Sequence, residues 1–80
     1  MITLNEATSI ALERNDRFDT YQEYADAYVF YIDDGVISDG GGNRNCVIEK
    51  KNGSVLSWSM YFMNANRNIV EIGKPKKIEK

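Results

Sequence analysis

Histidine is absent from this chain of 80 residues. It is the commonest general base at neutral pH and the commonest metal ligand. Its absence excludes Ser-His and Cys-His catalytic pairs and histidine-ligated zinc. Catalysis by carboxylates or lysine stays open, but the glutamates are spread over several predicted elements, and their spacing reveals no catalytic pair. The sequence therefore predicts a protein that is not an enzyme and carries no cofactor.

Cysteine is nearly absent, since Cys46 is the only one. A lone thiol forms neither an internal disulfide nor a cysteine metal cluster, and it suits a reducing compartment. The chain has no signal-peptide pattern and no apolar run long enough to span a bilayer. A net charge of −2 and a pI of about 5.0 would recruit neither nucleic acid nor an anionic membrane. We expect one cytoplasmic domain over residues 1–80.

The N-terminal segment predicts a helix. Thr3 and Glu6 have the spacing of a capping box, in which each side chain accepts a hydrogen bond from the backbone of the other. An apolar stripe at helical spacing follows, and Asn15 with Asp16 suits the end of the helix. The stripe consists of Leu4, Ala7, Ile10 and Ala11. A helix this short must dock on other structure to be stable.

Strands follow the helix. Residues 18–24 are a weaker strand candidate, and residues 27–33 are the clearest strand, rich in aromatic and β-branched side chains. Both faces of residues 27–33 are apolar, which predicts a central strand covered on both sides. Residues 69–72 would form a last short strand ended by Gly73 and Pro75, and residues 74–80 would be a frayed basic tail. The predicted fold is α+β, with one N-terminal helix packed on a three- to four-stranded antiparallel sheet.

Asn52-Gly53 between two alternating apolar runs predicts a β-hairpin with a two-residue turn. This register pairs Val47 with Trp58 and Ile48 with Ser57. The face with Val47, Leu56, Trp58, Met60 and Phe62 would be the core, covered by the helix. The opposite face would be a contact surface for a protein partner or a second copy in a homodimer. The candidate contact residues are Tyr31, Ile48, Val55 and Tyr61.

The glycine-rich segment over residues 33–44 offers an alternative, a small-ligand or metal site. Backbone amides and a guanidinium would bind an anion, through Gly41, Gly42, Asn43 and Arg44. Asp33, Asp34 and Asp39 would supply oxygen ligands to calcium, although their spacing does not match the helix–loop–helix calcium motif. A plain connector between strands is the simpler interpretation of this segment.

The order of elements resembles a known family. A capped helix at residues 4–11, the Tyr28-Val-Phe-Tyr31 strand, a glycine loop and the residue 47–56 hairpin resemble the small cytoplasmic immunity proteins of bacterial toxin systems, the family numbered thirty-five. The likeness covers residues 2–58. It implies a protein that binds and neutralises a toxin, and it carries over no catalytic residue.

The hairpin is also similar to the PepSY domain, whose strands carry a "v-D-x-x-t-G-x-v-l" run. Glu49 stands at the position of the usual aspartate, and Asn52 stands where threonine is common. This second resemblance implies a regulator of a protease. PepSY domains are mostly secreted or membrane-attached, and the missing signal sequence counts against that interpretation.

Overall fold

The computed structural model describes residues 1–33, 45–63 and 69–79. In chain order the elements are helix α1 (Leu4–Arg14), strands β1 (Thr20–Tyr24), β2 (Ala27–Tyr31), β3 (Asn45–Glu49) and β4 (Val55–Leu56), helix α2 (Trp58–Met63) and strand β5 (Glu71–Lys77). The predicted α+β class, an N-terminal helix on an antiparallel sheet, is confirmed. Within the described ranges the sheet has five strands in the order β4-β3-β2-β1-β5, more than the three to four predicted.

Helix α1 begins at the predicted capping box. The Thr3 hydroxyl accepts a hydrogen bond from the Glu6 N–H, and the Glu6 carboxylate accepts one from the Thr3 N–H, both at 3.2 Å. The helix ends at Asn15, whose N–H donates to the Ala11 carbonyl at 3.0 Å. Ala7 and Ala11 are fully buried against the sheet. Their small side chains let the helix backbone lie close to the strands, and this docking stabilises a helix of 11 residues.

Strand β2 occupies the centre of the sheet. It pairs antiparallel with β1, where Phe30 lies opposite Tyr21, and with β3, where Phe30 lies opposite Cys46. Four of its five residues are buried, as expected for a strand covered on both faces. The predicted central position is confirmed. The strand ends at Tyr31 rather than at residue 33.

The hairpin between β3 and β4 differs from the predicted two-residue turn. Val47 lies opposite Leu56 and Ile48 opposite Val55, a shift of two residues from the predicted register. A type I′ turn needs positive φ at both central residues, but only Gly53 has it, at +74°. The Asn52 side chain instead accepts a hydrogen bond from the Ser54 N–H at 2.9 Å. The chain therefore turns through residues 50–53, closed by a bond from the Gly53 N–H to the Glu49 carbonyl at 2.8 Å.

Gly53 gives the first testable prediction. Gly53→Ala should lower the free energy of unfolding by about 1–2 kcal/mol, because alanine is strained at positive φ. A Cβ there would also lie 3.2 Å from the Ile10 Cδ1 atom. Gly73→Ala is the matched control, since Gly73 has φ +70° and no atom within 4 Å of the added Cβ. Urea unfolding followed by circular dichroism measures both, and a Gly53→Ala cost smaller than the Gly73→Ala cost would contradict the close packing on Ile10.

Two hydrophobic clusters lie on opposite faces of the sheet. The α1 face joins α1 to alternate residues of the strands, among them Tyr28, Phe30, Cys46 and Ile48. The α2 face joins Tyr61 of α2 to Tyr24, Ala27, Val29 and Val47. The predicted core face was thus assigned to the wrong helix: α1 packs on the face with Cys46 and Ile48, and the face with Val47 is covered by α2.

Strand β5 corrects the predicted frayed tail. The strand continues from Glu71 through Gly73 and Pro75 to Lys77, and the Ile78 N–H beyond it donates to the Asp19 carbonyl at 2.8 Å. A register shift against β1 between Tyr21 and Glu23 accommodates the irregular middle of the strand. Proline is tolerated because β5 lies at the edge of the sheet, and none of the other described strands pairs with its outer side.

Candidate protein-contact surface

Helix α2 lies where the sequence predicts a continued strand. The strand ends at Leu56, and the Ser57 hydroxyl then accepts a hydrogen bond from the Met60 N–H at 3.2 Å, as an N-cap residue does. The Tyr61 N–H donates to the Ser57 carbonyl at 3.1 Å. Ser57 therefore turns the chain out of the sheet and begins a helix of six residues.

Tyr61 anchors α2 to the sheet. Its side chain is fully buried, and its ring packs edge-on against Tyr24 with centroids 5.8 Å apart. Its hydroxyl donates a hydrogen bond to the Asp26 carboxylate in the turn between β1 and β2. These contacts fix the orientation of the helix and decide which of its side chains face outward.

The outward side of α2 is apolar. Trp58 is 42% exposed, Met60 65% and Met63 83%, three of the six large hydrophobic side chains that are exposed in the described ranges. The Trp58 ring lies against the half-buried Phe62 with centroids 4.5 Å apart. We call Trp58, Met60, Phe62 and Met63 the α2 patch.

The four predicted contact residues do not form one surface. Ile48 is fully buried under α1, and the partly buried Val55 packs against the same cluster. Tyr61 is fully buried in α2, on the opposite side of the sheet. Tyr31 is partly buried, and the alternation of β2 places it on the α2 face. The prediction of a common face is wrong for two reasons. The β2–β3 register pairs Val29 with Val47 and thereby puts Tyr31 on the face opposite Ile48. The chain after Leu56 is a helix, which removes Tyr61 from the alternation of the strand.

The predicted loop site falls mainly outside the described residues. Gly41, Gly42, Asn43 and Arg44 all lie there, and so do Asp34 and Asp39. Asp33 is described, and its carboxylate forms an ion pair with the Lys77 Nζ at 3.2 Å. No group of three acidic or cysteine side chains that could hold a metal occurs in the parts of the chain that are described. The small-ligand interpretation of this loop stays a prediction.

Lys50 is the most buried cation of the described residues. Its side chain is 10% exposed, and its Nζ lies 2.6 Å from a Glu23 carboxylate oxygen and 4.9 Å from the Tyr28 ring centroid. Burial raises the pKa of Tyr28, the Glu23 charge raises it further, and Lys50 opposes both effects. The ammonium group of Lys50 therefore contacts a carboxylate of β1 and an aromatic face of β2, and it ties the turn after β3 to those two strands.

Cys46 is not a reactive thiol. It is buried beneath α1, and this burial raises its pKa from 9.0 to about 11, while the charge of Arg14 acts in the opposite direction. Reactive cysteines have lowered pKa values and partial exposure. The position and the pKa of Cys46 are those of a small core residue.

Thiol labelling tests this assignment of Cys46. The rise in pKa lowers the thiolate fraction at pH 8 about a hundredfold, so a disulfide reagent should label the native protein at least about a hundredfold more slowly than the urea-unfolded chain. The native rate should keep rising with pH up to about 11, whereas the unfolded rate levels off near 9. A native rate within tenfold of the unfolded rate, measured by absorbance of the released thiolate, would contradict the burial.

Comparison of the chain with protein-family models, with curated proteins and with solved structures finds no match in any of the three. Neither α1 nor α2, the two helices of the described residues, is long and apolar enough to cross a membrane.

A local signal for the α2 patch is present in the sequence. Trp58, Tyr61 and Phe62 have the spacing i, i+3, i+4 of one helix face, and Ser57 precedes them as an N-cap residue. Leu56, Trp58, Met60 and Phe62 also satisfy an alternating pattern over a short run, so periodicity alone does not separate helix from strand. The capping serine is the more specific of the two signals.

Proposed function

We propose that this protein is a non-enzymatic protein-binding domain and that the α2 patch is its contact surface. The observation that carries the proposal is the composition of α2, whose side chains are apolar apart from Ser59. A helix that is hydrophobic all round is normally buried on all sides. Here Tyr61 and part of Phe62 pack against the sheet, and a partner would cover the exposed side chains of Trp58, Met60 and Met63.

The residue types of the patch support the same proposal. Tryptophan, phenylalanine and methionine are enriched in the cores of protein interfaces, and charged residues are depleted there. Methionine adapts its shape to the opposing surface, and Trp58 supplies a large rigid ring held in place by Phe62. Such a patch fits an apolar protein surface better than a polar small molecule, since its side chains carry no ionisable group.

Site-specific photo-crosslinking tests this function. A photoreactive residue at position 63, where Met63 is 83% exposed, should form a covalent adduct with a protein, either another copy or a different chain. The same residue at position 5, an exposed site on α1, is the matched control and should give no such adduct. The adduct at position 63 should also disappear in the Trp58→Ala variant. Equal crosslinking from both positions, or none from position 63, would refute the proposal.

The immunity-type role is the specific form of this proposal, and its support is the resemblance over residues 2–58. The immunity role requires a toxin gene beside the gene of this protein, and co-expression of the two measures the role directly. Growth should be restored by the wild-type protein and lost again in a folded variant that no longer binds the toxin. Failure of the wild-type protein to protect cells would refute the immunity role and leave the broader binding function in place.

A further inference from the structure

We infer that strand β5 is a strap that opens from β1 and closes again while the rest of the domain stays folded, and that the Gln22 side chain holds it closed. Opening exposes the outer edge of β1, and an exposed strand edge is a template for pairing with another chain. The strap therefore acts as a cover for that edge. It includes no residue of the α2 patch, so the inference goes beyond the proposed function and does not depend on it.

Strand β5 buries little of itself. All seven of its residues are exposed, and among the described strands it pairs only with β1. Neither hydrophobic cluster of the described residues includes a β5 side chain, and Ile69 and Ile78, which pack on the clusters, lie outside the strand. A segment with few buried apolar contacts opens at a lower free energy than the core does. Strand β5 is therefore the strand we expect to open first.

The pairing of β5 with β1 is interrupted in its middle. The register shift leaves Gln22 of β1 facing the three residues 73–75 of β5, where regular pairing would set one residue against one. Pro75 is among the three and has no N–H to donate. Gly73 is another, and its φ of +70° departs from that of a strand. The ladder of backbone hydrogen bonds is thus broken at this point.

The Gln22 side chain fills the interruption. Its Nε2 atom donates to the Gly73 carbonyl at 3.1 Å and to the Glu23 carbonyl at 3.0 Å, and the residue is only 6% exposed. A side-chain amide has two N–H donors, so one group bonds a carbonyl of each strand. Loss of this amide should therefore weaken the closed strap more than loss of an exposed β5 side chain would.

The end of the strap is held by weaker side-chain contacts. The Lys77 Nζ lies 3.2 Å from an Asp33 carboxylate oxygen and 3.2 Å from the Thr20 hydroxyl. Both members of the ion pair are more than half exposed, and exposed pairs contribute little to stability. Beyond the strand, the Ile78 N–H donates to the Asp19 carbonyl at 2.8 Å. That amide reports whether this end is closed.

Native-state hydrogen exchange, measured by NMR in 0 to about 1 M urea, tests the strap. The amides of β2 exchange by global unfolding, and their protection should fall at least about fivefold over this range. The reporters are the Ile78 N–H and the Ala25 N–H, which donates to the Val70 carbonyl at 2.8 Å at the other end of the strap. Both should be at least about tenfold less protected than β2 and change less than about twofold in urea, because strap opening exposes little surface.

Two outcomes would overturn the strap. In one, the reporters are as protected as β2 and lose protection with it in urea, so β5 opens only with the whole domain. In the other, the two reporters differ from each other by more than about tenfold, so β5 does not open as one unit.

Gln22→Met tests what holds the strap closed. It keeps the length of the side chain and removes the amide, so the protection of both reporters should fall at least about fivefold for two lost hydrogen bonds. Lys74→Met, at an exposed position of the same interruption, is the matched control and should change protection less than about twofold. Equal effects of the two variants would refute the role of Gln22. If Gln22→Met does not fold, the wild-type urea series still decides whether β5 opens.

Discussion

Replacing Tyr61 by alanine should lower the free energy of unfolding by about 3–5 kcal/mol, the range for truncating a buried aromatic side chain. Tyr61 is fully buried and contacts Tyr24 and Phe62 with ring centroids 5.8 and 5.0 Å away. It is also the buried residue through which α2 is held on the sheet. Losing it would release α2 and uncover the face of the sheet that contains Val47.

Two control variants separate the contributions to this effect. Tyr61→Phe removes only the hydroxyl that donates to Asp26, and it should cost about 1–3 kcal/mol. Met63→Ala, at an exposed position of the same helix, should change stability by less than about 0.5 kcal/mol. Urea unfolding by circular dichroism gives all three values. If Tyr61→Ala unfolds the chain outright, Tyr61→Phe still provides the measurement, and equal costs at positions 61 and 63 would show that α2 does not cover the sheet.

Ile48→Ala should lower the free energy of unfolding by about 2–5 kcal/mol, since Ile48 is fully buried between the sheet and α1. The sequence pattern predicts Ile48 on a contact surface, whereas the structure places it in the core, and the two placements lead to different outcomes for Ile48→Ala. A contact residue would weaken partner binding and leave the isolated chain almost as stable as before. Truncating a core residue instead lowers the stability of the isolated chain.

Val55→Ala is the comparison for Ile48→Ala. Val55 is the neighbour of Ile48 across the β3–β4 pair and is only partly buried, so its truncation should cost less. Chemical denaturation gives the two stabilities, and sedimentation of the folded variants gives their self-association. An Ile48→Ala protein as stable as the wild type but altered in association would return Ile48 to the contact surface.

Local features were predictable from the sequence because short-range interactions determine them. The hydrogen bond between Thr3 and Glu6 spans three residues, and the apolar composition of β2 is enough to predict that the strand is buried. The hairpin register was not predictable from the Asn-Gly pair, because the Asn52 side chain bonds to Ser54 and leaves Gly53 alone at positive φ. The Asn-Gly pair is compatible with a two-residue turn and with a longer one. The structure has the longer turn, in which Gly53 packs against Ile10.

The proposed contact surface was less accessible to prediction than the fold. Residues 54–62 satisfy a strand pattern and a helix pattern about equally, and the choice depends on Ser57 and on whether Tyr61 can reach Asp26, which is 35 positions earlier in the chain. The full length of strand β5 could not be predicted from the sequence for a related reason. Gly73 and Pro75 argue against a strand locally, and only pairing with β1, more than 40 positions away, shows that an edge strand forms there.

The sheet order has a consequence for how the chain acquires its structure. Strands β1 to β4 follow one another as neighbours in the sheet, so each can pair soon after its predecessor. Strand β5 instead pairs beside β1, with Lys77 opposite Thr20, and closing so long a loop costs more entropy than closing a hairpin. The outer edge of β1 therefore cannot be fully paired until residues 71–77 have been synthesised. During that interval the nascent chain is more exposed to wrong strand pairing than the finished protein is.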